Sequence, residues 1–201
     1  MKIGIIGSGL MAQGISKFFE KNNIEIEAIS ARAILNNKHA FEDVSFILES
    51  TNEDLSKKVA VIKKIETNKR IYTNTSSLCL DELRKESGRN DLGLIHFMNP
   101  ANRNEVVEVI DVDPDIIDLL NKLGKDIYPV PNIPGFIVNR LLFAQIKEAE
   151  YLKGLGLSEV YIDTLYKNAT KSRVGPFEVK RFVGESVSCK IIKNIWGEHA
   201  D

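Results

Sequence analysis

The chain has 201 residues, enough for one large domain or two small ones and for a substantial buried core. Its 27 Lys and Arg against 28 Asp and Glu leave a net charge of -1, which removes any general pull toward nucleic acid or an acidic membrane. Two cysteines, Cys79 and Cys189, make neither a disulfide framework nor a metal cluster, and no apolar run approaches the roughly 20 residues that a bilayer span requires.

Nothing ahead of the first apolar run, KIGIIG, could serve as a cleaved signal, so a cytoplasmic chain is expected. That run reads as a strand over Ile3 to Ile6, followed by an amphipathic helix from Leu10 to Glu20. Ile24 to Ser30 and Val44 to Glu49 read as the next two strands. Glu53 to Glu66 reads as a helix with Leu55, Val59, Ile62 and Ile65 at helical spacing. Ile71 to Asn74, Leu92 to Phe97 and Val106 to Val112 complete the strands, with short helices at Asp81 to Glu86 and Asp115 to Leu123.

This alternation is the pattern of a parallel sheet covered by helices. Prolines 129, 131 and 134 then mark a boundary. Beyond Gly135 strand signal gives way to helices at Phe136 to Lys153, Ser158 to Thr170, Pro176 to Val183 and Ser186 to Trp196. The expected fold class is α/β: a Rossmann-type doubly wound sheet over residues 1–130, then a small all-helical domain over 131–201. So short a helical domain is marginal alone, so it is expected to pack on the first domain or on a second copy, giving a homodimer.

The first strand runs into its helix through Gly7-Ser8-Gly9-Leu10-Met11-Ala12. This is the G-x-G-x-x-G/A dinucleotide fingerprint in the strand-turn-helix setting it requires. Gly7 permits the tight turn and Gly9 lets backbone approach a pyrophosphate, while the helix N-terminus offers free N–H groups and partial positive charge. The second strand would ordinarily end on an acid that binds the adenosine ribose, but here Ser30 and Arg32 occupy that stretch. A hydroxyl and a guanidinium can hold a 2′-phosphate that a carboxylate would repel, so the local chemistry favours NADP over NAD. The alternative is that Arg32 stacks on adenine or faces water.

Four further stretches occur in order: YTNTSSL, IHFMNP followed by VVEVI, IPGFIVNR and VGPFEV. Together with the glycine turn they resemble the L-3-hydroxyacyl-CoA dehydrogenase family from Lys2 to about Gly184. That family pairs a histidine with a glutamate twelve residues on, and His96 and Glu108 stand at that spacing. The resemblance implies that His96 exchanges the proton of a 3-hydroxyl as hydride passes between C3 and the nicotinamide ring, with Glu108 fixing its tautomer. It implies that Ser76 and Asn139 bond the substrate oxygen, with Pro134 and Gly135 turning the chain so that Asn139 faces a cleft between domains. It places Asn74 and Asn99 beside the cofactor, and Glu53 and Lys58 on the nicotinamide ribose side. Read alone, Ser76 would be a helix cap, Asn139 a polar residue at a domain seam, and Glu53 and Lys58 a solvated helical turn.

One departure from the family is plain. Members carry a helical hairpin between the second and third strands that helps hold the coenzyme A tail, whereas only Ala33 to Asp43 fills that gap here. The expected activity is therefore interconversion of 3-hydroxyacyl and 3-oxoacyl compounds as coenzyme A thioesters, with a weaker grip on the tail. A small free 3-hydroxy acid is the alternative substrate, although the enzymes of that group use a lysine where Asn139 and Arg140 stand. A dinucleotide-binding scaffold without catalysis is the non-enzymatic alternative.

Overall fold

A computed structural model describes residues 1–36, 41 and 43–197, and its packing divides the chain into two compact units, Met1–Ile133 and Pro134–Asp201. In the first, β1 (Lys2–Ile6), α1 (Leu10–Lys21), β2 (Glu25–Ile29), α2 (Ala31–Asn36), β3 (Ile47–Glu49) and α3 (Leu55–Lys64) follow one another. Then come β4 (Ile71–Thr73), α4 (Leu80–Ser87), β5 (Gly93–Phe97), β6 (Val106–Ile110), α5 (Pro114–Lys122) and β7 (Asp126–Pro129).

The strands form one sheet in the order β2-β1-β3-β4-β5-β6-β7. The chain leaves β1 for a neighbour on one side and returns for β3 on the other. This creates the reversal point outside whose carboxyl ends open α/β sheets bind ligands. β1 to β5 are parallel, as the alternating pattern predicts. β6 breaks that expectation by running antiparallel to β5. The connection 98–105 is shorter than the dozen or more residues a parallel crossover needs, so the chain can only turn back on itself.

Buried rings join the layers: Phe19 of α1 lies 6.2 Å from Phe97 of β5 and 6.5 Å from Phe46, which in turn meets Tyr72 of β4 at 5.7 Å. β7 was not apparent from sequence, where its proline reads as punctuation. It is a mostly exposed edge strand paired with β6, and an edge tolerates proline. α2 also differs from expectation: Ser30 ends the second strand early because its hydroxyl accepts the Ala33 N–H at 3.2 Å and starts a helical turn. α3 begins at Leu55, not Glu53, because the Asp54 side chain accepts from the Lys57 N–H and frees Glu53 from the helix. The first unit runs past residue 130 to Ile133 because Asn132 Oδ1 accepts the Leu80 N–H at the start of α4. Residues 37–40 and 42, five of the eleven in the gap from Ala33 to Asp43, lie outside the described residues.

The second unit contains α6 (Val138–Gly154), α7 (Glu159–Thr170), α8 (Pro176–Val183) and α9 (Glu185–Trp196). Phe143 and Ile146 of α6 pack with Ile191 and Ile195 of α9, while Ala149, Ile162 and Phe177 join α6, α7 and α8. The buried Asp163 carboxylate of α7 accepts the Phe177 and Glu178 N–H groups at 2.9 and 3.0 Å, so α7 caps α8. Gly135 has φ 76, and a Cβ there would meet Ile195, so glycine is needed for the turn into α6. Among the described residues no helix is long and apolar enough to cross a membrane.

Candidate active site

The site begins at the glycine turn. Gly7 has φ 139 and lies against Ser50 at the end of β3. Gly9 is the N-cap of α1, and a Cβ there would meet nothing within 4 Å. Among the described residues no side chain caps α1 and no acid occupies its first turn, so neither a competing acceptor nor a negative charge opposes an anion at that end. Ser8 and Leu10 are exposed beside it and Met11 is half-buried. This open, uncapped turn fits the pyrophosphate of a dinucleotide held by the backbone from Gly7 to Met11.

From there a line of polar contacts runs along the carboxyl edge of the sheet. Ser50 N–H donates to the Ile6 carbonyl at 2.7 Å, tying β3 to the residue before Gly7. The Asn74 amide donates to Ser50 Oγ at 3.3 Å, and its carbonyl accepts the Phe97 N–H at 2.8 Å. Asn74 thus fastens the ends of β3, β4 and β5 together and sets the backbone beside His96.

His96 is 3% exposed, and its Nδ1 lies 2.8 Å from Glu108 Oε2, with Glu108 itself buried. The reason is register: in the antiparallel β5–β6 pair, His96 stands directly opposite Glu108. A separation of twelve residues is therefore a cross-strand contact, and both side chains emerge on the same face. With the carboxylate accepting at Nδ1, the remaining ring lone pair is on Nε2.

Glu53 and Lys58 take places that the family resemblance alone does not convey. One Glu53 oxygen accepts from the Ser76 and Ser77 N–H groups at 3.0 and 2.7 Å and from the hydroxyls of Thr75 and Ser77, both at 2.7 Å. It holds the turn that carries Ser76. Lys58, expected beside the nicotinamide ribose, instead points inward: it is 0% exposed and donates to both oxygens of an equally buried Glu49 at 3.0 Å. Thr73 and Thr51 also donate to Glu49, so the carboxylate is fully satisfied. Burial pushes the Glu49 pKa up, but the Lys58 charge with the threonine bonds outweighs it and holds the carboxyl below its ordinary value.

Residues 29–131 match the family described as 3-hydroxyacyl-CoA dehydrogenase, NAD binding domain, and residues 135–201 match its C-terminal domain. The chain belongs to the 3-hydroxyacyl-CoA dehydrogenase family. It is 27% identical to 3-hydroxybutyryl-CoA dehydrogenase of Clostridioides difficile, over all of this chain and 89% of that one. That alignment spans 250 positions against 201 residues here, so this relative carries segments that the chain skips. Identity to mitochondrial hydroxyacyl-coenzyme A dehydrogenase of Sus scrofa is 32% over 76% of this chain, which spans about half, 52%, of that relative. Among solved structures, M. tuberculosis FadB2 superposes with a TM-score of 0.84 at 18% identity, covering 99% of this chain and 88% of that one.

In this member of the 3-hydroxyacyl-CoA dehydrogenase family, the remaining expected residues are spread along both units. Ser30 and the exposed Arg32 flank the start of α2, at the end of β2. Asn99 is exposed, in the connection that follows His96. Asn139 is buried in the first turn of α6 in the second unit. Sequence reasoning missed Glu49 and Thr73. The available signal was Lys58 itself, which falls on the apolar stripe of α3 with Leu55 and Ile62, where a charge requires a buried partner.

Proposed function

We propose that this chain interconverts a 3-hydroxyacyl and a 3-oxoacyl coenzyme A thioester, with His96 as the proton-transfer residue. The observation that carries the proposal is the buried His96–Glu108 bond beside the carboxyl edge of a sheet whose glycine turn fits a dinucleotide. A bound nicotinamide dinucleotide supplies one chemistry, taking hydride from C3 or returning it. His96 takes the hydroxyl proton on Nε2 as C3 becomes a carbonyl, and gives it back in the reverse direction. Glu108 keeps the proton on Nδ1, orients the ring and stabilises the imidazolium. Ser76, on the turn that Glu53 fixes, donates to the substrate oxygen, and Asn139 is assigned the same task on the family pattern.

The backbone from Gly7 to Met11 binds the pyrophosphate. Asn74 and Asn99 serve the nicotinamide side, and Glu53 serves it through the Ser76 turn. Lys58 acts at one remove, through Glu49. We assign NADP over NAD on Ser30 and Arg32: no acid stands at the end of β2, and the exposed guanidinium is available for a 2′-phosphate. The helical unit leaves Leu141, Leu155, Val160 and Leu165 exposed on α6, its C-cap and α7, a surface suited to a second copy of the chain.

The deciding experiment follows nicotinamide absorbance with acetoacetyl-CoA, using NADH and NADPH in turn, for the wild type and His96→Gln. Turnover by the wild type, faster with NADPH, and its loss in the variant with cofactor still bound are expected. Folded wild type inactive with both cofactors would overturn the enzymatic reading. Activity on 3-hydroxybutyrate greater than on its thioester would move the substrate to free acids.

A further inference from the structure

Lys125 carries a buried charge that the chemistry above does not use. It follows Gly124, whose left-handed backbone at φ 81 ends the α5 turn, and only 5% of Lys125 is exposed. Its ammonium donates to the carbonyl of Ala101 at 2.8 Å and to that of Asn104 at 2.5 Å. The same nitrogen lies 4.1 Å from the centre of the Phe18 ring and 5.7 Å from that of Phe97. Burial lowers the Lys125 pKa, opposed by the Glu105 charge, and among the described residues no carboxylate forms an ion pair with it.

Both carbonyls belong to the connection 98–105, which leads from β5 to β6 and therefore from His96 to Glu108. This connection turns on Pro100, whose carbonyl accepts the N–H groups of Arg103 and Asn104, both at 2.9 Å. Ala101 is buried, and a Cβ on Gly14 of α1 would lie 3.6 Å from its Cβ, an ordinary packing distance. The turn is held between α1 and Lys125. Asn99, two positions before Ala101, is carried by it.

We infer that Lys125 is a positioning residue: its ammonium clamps the 98–105 turn and so fixes Asn99 relative to the His96–Glu108 pair. The inference rests on the proposed dehydrogenase reading for its functional consequence, though not for the clamp itself. An ammonium suits the position because its three donors match two carbonyls and one ring face. A methionine would fill similar volume and strand one buried and one half-buried acceptor.

The test uses the full chain as Lys125→Met and Lys125→Arg. It measures hydrogen exchange at the Arg103 and Asn104 amides, kcat and KM with acetoacetyl-CoA, and folding by circular dichroism. Lys125→Met is expected to stay folded, exchange faster at those two amides, and lose kcat on the order of 10²-fold with little change in KM, as small misplacement of reacting groups does. Lys125→Arg, which can still donate to both carbonyls, should recover part of kcat. Exchange and turnover equal to the wild type in Lys125→Met would overturn the inference, as would exchange raised uniformly across the sheet. If Lys125→Met does not fold, Lys125→Arg decides by the same two amides: normal exchange there with reduced kcat refutes the clamp, and faster exchange with reduced kcat supports it. Wild type without turnover would sink the dehydrogenase reading, while the exchange comparison would still decide the clamp.

Discussion

Gly7 sits so close to Ser50 that a Cβ on it would collide with the Ser50 carbonyl oxygen, whereas a Cβ on Gly9 would meet nothing within 4 Å. The two glycines of one turn therefore answer to different demands. Gly7, also at φ 139, serves the joint between β1 and β3; Gly9 keeps a surface open. Gly7→Ala is expected to cost about 1–3 kcal/mol of stability from backbone strain and overpacking. Gly9→Ala should melt like the wild type and lose nicotinamide cofactor affinity. Fluorescence titration beside thermal melts separates them, and equal melting of the two variants would refute the division.

The His96–Glu108 pair makes a second separation possible. Because the two are cross-strand neighbours, Glu108→Gln preserves shape and hydrogen-bond reach while removing the charge that stabilises an imidazolium. Its kcat should fall on the order of 10²-fold or more, within the range general base catalysis supplies, with KM and cofactor affinity nearly unchanged. A rise in KM with kcat intact would place Glu108 in substrate binding instead.

Much of this architecture was legible because local signals and tertiary demands agree. The glycine turn, the apolar strands and the helical stripes of α1 and α6 each carry their own periodicity. The antiparallel turn of β6 was less visible: it follows from the length of the 98–105 connection, not from the composition of Val106 to Ile110, which suits either direction. Edge strand β7 was hidden by a proline that an edge tolerates. At the site, His96 and Glu108 could be paired by spacing on the strength of the family pattern. The partners of Lys58, Glu53 and Lys125 could not, because each reaches residues outside its own element through a side chain whose direction no local pattern fixes.

Asp163 offers a test confined to the helical unit. It is 3% exposed, accepts two N–H groups at the start of α8 and meets Arg181 at 3.2 Å, while a Cβ on Gly175 would collide with it. Asp163→Ala leaves those N–H groups without an acceptor and should destabilise the chain by about 1–3 kcal/mol. Asp163→Asn, which keeps one acceptor oxygen, should cost less. Unfolding followed by the fluorescence of Trp196, the single tryptophan, reads this unit directly. No difference between the two variants would mean that the α8 cap contributes little.

The Glu49–Lys58 pair fixes both a mutational and a pH expectation. Lys58→Met leaves a fully buried carboxylate without its cation and should cost about 3–5 kcal/mol at neutral pH. Replacing both, as Glu49→Leu with Lys58→Met, should recover much of that, since no uncompensated charge remains. The sign with pH follows from the direction of the Glu49 shift. Its folded pKa lies below the ordinary 4.5: burial raises it, and Lys58, Thr51 and Thr73 together lower it further. A carboxyl so shifted stabilises the fold fully above its unfolded pKa and loses that contribution as pH falls through the folded value. In Lys58→Met the same carboxyl has lost the cation that held it ionised, so acid relieves the variant while it weakens the wild type. Denaturant unfolding followed by far-ultraviolet circular dichroism should therefore show the gap between the two proteins widest at neutral pH and narrowing below the ordinary carboxylate value. A gap that stays constant through that range would mean that Lys58 stabilises α3 by packing alone.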